Sequence, residues 1–285
     1  MRLRRFEYFE PATLAEASAL LARYGGRAQP LAGGTDLLVE LKEQLRRADC
    51  VVNIKKIPGL GALSFDPQAG LRIGALVTAR EIEVSSTTIK HYPSLVQAVR
   101  ELGSIQVRNR ATIIGNVCRA SPSADTLPPL IADGAVVSIH GGQGTRSVPL
   151  EDFFTGPGKT VLKSDELVTE IAVPAPAPRT GKIYIKHGRR KAMELATVGV
   201  AVTLTLEDEI RIVLGAVAPT PIRAKKAEVL LSGRKIDAAL IERAAQSALE
   251  ESRPISNVRA NAAYRREMVG VLTRRALQRA LDLAR

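Results

Sequence analysis

Apolar positions fall into helical spacing just after residue ten, where Leu14, Ala17, Leu21 and Tyr24 recur every three or four places. Thr13 and Glu16 form a capping-box pattern ahead of them, and Gly25-Gly26 supplies the stop. A short strand is expected over Gln29-Pro30-Leu31-Ala32, broken by Gly33-Gly34-Thr35-Asp36. A helix from about Leu37 to Arg46 and an apolar strand at Val51-Val52-Asn53-Ile54 complete one β-turn-α-β unit. Pro58-Gly59 is a turn signal. Beyond it, strands at Leu71–Ile73 and Ala135–Ile139 alternate with helices at Thr78–Val84 and Ser94–Leu102. The stretch Ile139–Val148, with Gly141-Gly142-Gln143-Gly144 between β-prone arms, reads as a hairpin.

Pro174, Pro176 and Pro178 alternate with alanine, a pattern that resists helix and central strand and marks a linker. After it come β-prone runs at Lys182–Lys186, Thr197–Leu206 and Arg211–Val217, then helices near Ile236–Glu251 and Tyr264–Leu283. The last helix carries Met268, Leu272, Leu277 and Leu281 on one side and Arg274, Arg275 and Arg279 elsewhere, as a core-facing helix with a basic solvated face does.

Composition narrows the class. A hydrophobic fraction of 45% over 285 residues suits a soluble globular chain, and no apolar run is long enough to cross a bilayer. The start, Met1-Arg2-Leu3-Arg4-Arg5-Phe6-Glu7, has no apolar segment behind its charges, so no secretory signal is expected; two cysteines, Cys50 and Cys118, make no disulfide framework. A cytoplasmic protein is expected. The net charge of +12 admits nucleic acid or an acidic protein as partner, but the basic residues are scattered, with Arg189-Arg190-Lys191 the densest cluster, and the chain has no Trp and few aromatics to stack on bases.

Two segments carry candidate chemistry. In Leu31-Ala32-Gly33-Gly34-Thr35-Asp36-Leu37 a strand runs through paired glycines into a helix, which offers backbone amides to an anion such as a phosphate; a plain capped turn is the alternative. The spacing is not the Gly-x-Gly-x-x-Gly dinucleotide fingerprint. The second segment, Ala111-Thr112-Ile113-Ile114-Gly115-Asn116 continuing to Asp125-Thr126, has neither helical nor strand periodicity and reads as an irregular polar loop, in which Thr112, Asn116 and Asp125 could bond phosphate or polyol oxygens. Gly156-Pro157-Gly158-Lys159-Thr160 imitates the end of a P-loop, but position 153 is Phe and no strand leads in, so a surface turn is expected. His91, His140 and His187 show no metal-ligand spacing, and Cys118 reads as a small buried thiol.

Together these two segments, with Arg189 to Ala196, Leu214 to Ala224 and Tyr264 to Val269, resemble in collinear order the FAD-binding medium subunit of the xanthine dehydrogenase and carbon monoxide dehydrogenase family. The resemblance implies an α+β fold: a two-part FAD-binding domain of the vanillyl-alcohol oxidase (PCMH) type over residues 1–175, with subdomains about 1–57 and 58–175, then a smaller α+β C-terminal domain, antiparallel sheet plus helices, over 179–285. It implies that Leu31 to Leu37 and Ala111 to Asn116 pinch the FAD pyrophosphate, that Asp125 holds the ribityl chain, and that Leu102, Leu167 and Lys186 lie near the flavin ring. Many relatives have glycine where this chain has Ile114, which leaves Gly115 as the one side-chain-free amide there. It further implies partner chains, a molybdenum-cofactor large subunit and a 2Fe–2S small subunit in a dimer of heterotrimers, because two cysteines cannot supply the clusters. Electrons would then pass to or from an external partner such as NAD or a quinone. A stand-alone FAD oxidoreductase of the same flavin fold, with its own substrate pocket, is the alternative.

Overall fold

The computed structural model describes residues 3–206 and 209–285, so Met1 and Arg2 of the charged start lie outside the described residues. The first layer is the expected β-turn-α-β unit with one strand more. Strands β1 (Glu7–Phe9), β2 (Ala28–Leu31) and β3 (Cys50–Asn53) form a parallel sheet in the order β1-β3-β2, crossed by α1 (Leu14–Tyr24) and α2 (Leu37–Lys42). Thr13 caps α1 by accepting from the Glu16 amide, as its spacing predicts. Helix α2 stops four residues short of the expected Arg46, because Gln44 turns into left-handed backbone at φ +59°.

A five-stranded antiparallel sheet follows, built from β4 (Leu63–Asp66), β5 (Gly70–Gly74), β6 (Val136–Gly141) and β7 (Gly144–Pro149), with β10 (Leu167–Val173) at its centre. The hairpin read at 139–148 is β6–β7, closed by Gly141 opposite Gly144. Helices α3 (Ala79–Val84), α4 (Ser86–His91), α5 (Pro93–Arg100) and α6 (Ile105–Arg108) lie between β5 and β6, followed by α7 (Ile113–Arg119) and α8 (Leu127–Ala132). The P-loop mimic is a small hairpin of β8 (Phe154–Gly156) and β9 (Lys159–Thr160), whose Gly158 amide donates to Ala120 O.

Helix α7 corrects the reading of residues 111–126 as wholly irregular. Thr112 accepts the Gly115 amide at 3.0 Å, and Ile113, Ile114 and Val117 all turn into the core. A helix of seven residues that opens on two adjacent β-branched positions hides its period from sequence. Helix α8 was masked by Pro128 and Pro129, which here occupy the first turn, where a missing N–H costs nothing.

The third sheet, β11 (Thr180–His187), β12 (Val198–Thr205), β13 (Ile210–Gly215) and β14 (Ile222–Arg223), is antiparallel and backed by α9 (Lys225–Leu231), α10 (Ala238–Glu251) and α11 (Ala262–Ala284). On α11, Leu272, Leu277 and Leu281 are buried and Arg274, Arg275 and Arg279 exposed, matching the predicted stripe. Ile183, Val200, Val202 and Leu214 pack toward these helices, whereas Tyr184, Ala201 and Val213 on the opposite face join the core of the first 175 residues. The sheet is therefore buried on both sides, and α8, with all six residues buried, lies against its inner face. No helix among the described residues is long and apolar enough to cross a membrane.

Lys182 and Asp133 meet beneath this contact at 2.9 Å with both side chains nearly inaccessible; Thr203 donates to the same carboxylate oxygen at 2.7 Å, and the ammonium sits 4.6 Å from the Tyr92 ring centre. Removing one partner leaves a buried charge uncompensated. Lys182→Met should therefore cost about 3–5 kcal/mol in urea unfolding, while the double change Lys182→Met with Asp133→Leu recovers most of that loss. Equal losses in the single and double variants would show that this pair is not what holds the contact.

Candidate functional site

The parallel sheet sets up the first part of the site. Leu31 pairs with Asn53, so the chain leaves β2 through Ala32 and Gly33 beside the exit of β3 through Ile54 and Lys55. At Gly33 a β-carbon would fall 2.0 Å from the Arg110 carbonyl oxygen, so only glycine lets this turn rest on the backbone of the second segment. Gly34 holds φ +73°, which turns the chain into α2. The two motifs that sequence placed about eighty residues apart thus lie in van der Waals contact. Among the described residues, the amides of Gly33, Gly34, Thr35 and Asp36 donate to no protein acceptor. Four consecutive unused donors at one bend fit an anion of several oxygens.

The second part is built on α7. Ala79 donates to Ala111 O and Ile113 to Val77 O, which anchors the start of the segment on the strand-to-helix turn before α3. Ile114 is 4% exposed within the main core, whereas Gly115 is exposed, so the departure from glycine at 114 puts its bulk into the core and away from the open side. Asn116 accepts the Thr126 hydroxyl at 2.6 Å, which ties α7 to the turn carrying Asp125. Two cations border the cradle that sequence reasoning passed over. Lys55 lies past Asn53, to whose side-chain oxygen it donates at 3.1 Å, and the charge of Arg110, whose carbonyl meets Gly33, is near enough to act on it. Burial first, and the neighbouring Arg110 charge second, hold the Lys55 ammonium below its usual range.

Asp125 is buried at the other end of the site. Its two oxygens accept from Tyr184 Oη at 2.7 Å and Lys186 Nζ at 2.9 Å. The Lys186 ammonium also donates to Glu101 O at 3.1 Å and Glu194 O at 2.6 Å, which uses all three of its protons. Burial pushes the Asp125 carboxyl up to about 6, with Lys186 and Tyr184 pulling it back; burial and the Asp125 charge together drive the Tyr184 phenol well upward. Leu102 follows Glu101 directly, and its carbonyl accepts from Arg108, whose guanidinium is in turn fixed on Glu83. Asp125, Lys186 and the Leu102 turn are therefore brought together. Leu167 stands on β10 opposite His140, 3% exposed in the main core.

Tyr184 is the residue that sequence missed here, although Lys182, Tyr184 and Lys186 alternate along one strand, a polar face with period two in an otherwise apolar run. His187 bonds Tyr264 Oη through Nε2 at 2.9 Å, beside Lys186. The Cys118 thiol is pushed up to about 12 by burial, the state of an unreactive packed thiol.

Known proteins match this chain along nearly its whole length. The family described as FAD binding domain in molybdopterin dehydrogenase matches residues 4–176, and the CO dehydrogenase flavoprotein C-terminal domain matches residues 183–280. The chain is 33% identical over 282 residues to the xanthine dehydrogenase FAD-binding subunit of Escherichia coli O157:H7, covering 97% of this chain and 96% of that one. It is 34% identical over 280 residues to the carbon monoxide dehydrogenase medium chain of Hydrogenophaga pseudoflava, covering 97% of each. The structure of the Hydrogenophaga pseudoflava carbon monoxide dehydrogenase lacking the Mo-pyranopterin moiety superposes with a TM-score of 0.95 at 34% identity, over 99% of each chain. That of quinoline 2-oxidoreductase from Pseudomonas putida 86 does so at 0.91 and 29%, over 100% of each. Two family matches that together span nearly the whole chain, and relatives that align with it end to end, place the chain in the family of FAD-binding subunits of molybdopterin dehydrogenases.

Proposed function

We propose that this chain is the electron-transfer subunit of a multi-subunit molybdenum-dependent hydroxylase or dehydrogenase, passing electrons between iron–sulfur clusters on a partner chain and an external acceptor or donor such as NAD or a quinone. The observation that carries the reading is the run of four unused amides from Gly33 to Asp36, held against the Ala111–Asn116 segment. FAD, when bound, supplies the redox chemistry; the chain supplies grip, orientation and electrostatics. In this reading residues 1–175 form the cofactor domain and 179–285 the C-terminal domain. Ala32 to Leu37 and Thr112 to Asn116 hold the pyrophosphate, with Lys55 and Arg110 adding positive potential. Asp125 faces the ribityl hydroxyls with the lone pairs that Tyr184 and Lys186 leave free, and Leu102, Leu167 and Lys186 border the flavin ring. The carbon monoxide dehydrogenase relatives are medium chains, which supports assigning the molybdenum and 2Fe–2S centres to other polypeptides; a dimer of heterotrimers in the cytoplasm is the assembly this reading takes.

Phosphate recognition separates this reading from a generic flavin pocket. Apoprotein titrated with FAD and with riboflavin should prefer FAD by at least about a hundredfold, roughly 2.7 kcal/mol. Gly33→Ala, which forces the two segments apart, should erase most of that preference. Riboflavin binding as tightly as FAD in the unaltered chain would defeat the assignment.

Asp125 answers to pH. Its folded value of about 6 lies above the ordinary 3.8, so its contribution favours the folded apoprotein most below about pH 4 and is lost as pH climbs through about 6. Removing the cation should raise the value further: in Lys186→Met the carboxyl titration, followed by carbon NMR of labelled aspartate, is expected to move upward. An unmoved or lower value would separate the pair in solution.

A further inference from the structure

Tyr264 and Arg265 belong to a segment that sequence reasoning singled out, yet nothing in the cofactor site described above uses them. Arg265 stands in the first turn of α11, 2% exposed and without a carboxylate partner. Its Nη1 donates to Thr197 O at 3.0 Å and Ala216 O at 2.9 Å, its Nη2 to Asn257 Oδ1 at 2.8 Å, and its Nε finds no acceptor among the described residues. Burying a cation on carbonyls alone is expensive, and burial holds this guanidinium below its usual range, with Arg259 adding to the effect. Its acceptors show what it organises.

Thr197 closes the neck of the 188–196 loop, its amide donating to His187 O at 2.8 Å. Tyr264 grips the other side of the same neck through its hydroxyl on His187. The loop returns a carbonyl, Glu194 O, to the Lys186 ammonium. Ala216, the second acceptor, is held at φ +64° and donates its amide to Pro122 O at 2.8 Å, three residues before Asp125. One guanidinium therefore joins the loop that secures Lys186 to the turn that carries Asp125.

We propose that Arg265, assisted by Tyr264, is a positioning residue: by fixing the neck of the 188–196 loop and the Ala216 turn together, it sets the Asp125–Lys186 pair in place for the cofactor. The cofactor half of this statement rests on the function proposed above; the loop half does not.

The loop carries its own reporter, because Arg189, Arg190 and Lys191 are trypsin sites. Arg265→Met, Arg265→Lys and Tyr264→Phe are compared with Leu277→Ala, which weakens the buried face of the same helix about three turns away. At a temperature where circular dichroism shows every variant folded, Arg265→Met should be cut at 189–191 about tenfold faster than the unaltered chain and bind FAD about tenfold more weakly. Arg265→Lys, which keeps a cation and fewer donors, should recover part of both effects. Leu277→Ala should lower the melting temperature and change neither. Tyr264→Phe, on the exposed side of the neck, should speed cleavage more modestly and carries the test if Arg265→Met does not fold. Cleavage and affinity of Arg265→Met and Arg265→Lys within twofold of Leu277→Ala would overturn the proposal. Faster cleavage in a protein whose unaltered form takes up no FAD would support the loop clasp and overturn the cofactor reading instead.

Discussion

The structure depends on how α8 is held. A helix of two turns, apolar on every side, packs on the inner face of the C-terminal sheet and against α5, with an aspartate near each end. Asp125 and Asp133 are eight positions apart, and Lys182 and Lys186 are four apart on β11. At about 1.5 Å per helical residue and 3.4 Å per strand residue, the two spans are roughly 12 and 13–14 Å, so both pairs close in one register only. Sliding β11 by one residue would point Lys182 and Lys186 at the opposite helix layer and leave both carboxylates unpaired in the interior. Apolar burial supplies the attraction; the two ion pairs choose the arrangement.

That choice reaches the cofactor cradle through short covalent links. Asp125 immediately precedes Thr126, whose hydroxyl holds Asn116 on α7, and α7 begins at the segment that meets Gly33. Positive potential enters the same region from Lys55, Arg110 and Lys186. Other basic side chains are paired locally, as in Arg108 with Glu83, Arg119 with Glu40 and Arg223 with Glu228. Arg119 and Glu40 join α7 to α2 at 2.8 Å, a second bridge between the Gly33-Gly34 turn and the α7 segment.

Sequence revealed the periodic parts of this fold and the residues whose chemistry is unusual for their surroundings. Thr13 with Glu16, the Gly141–Gly144 turn and the α11 stripe were legible because each rests on contacts within a few residues. Gly33, Gly34 and Asp125 stood out as conformationally or electrically costly in an apolar context. What escaped depended on distant neighbours. Helix α7 hid in a β-branched run, α8 hid behind its prolines, and Tyr184 became meaningful only when β11 was laid across Asp125. The value of Ile114 likewise could not be read locally: its side chain is buried because Thr112 starts a helix that turns Ile113, Ile114 and Val117 into the core.

The shared burial of the C-terminal sheet sets a schedule for synthesis. Asp125, Asp133 and the apolar helix α8 leave the ribosome well before Lys182, Tyr184 and the strands that cover them. At roughly 5–20 residues per second, that interval lasts on the order of seconds. Throughout it the nascent amino-terminal half carries Asp125 and Asp133 without the lysines that pair with them in the folded chain. Until residues 180–215 have emerged, α8 has no C-terminal sheet to cover its apolar sides.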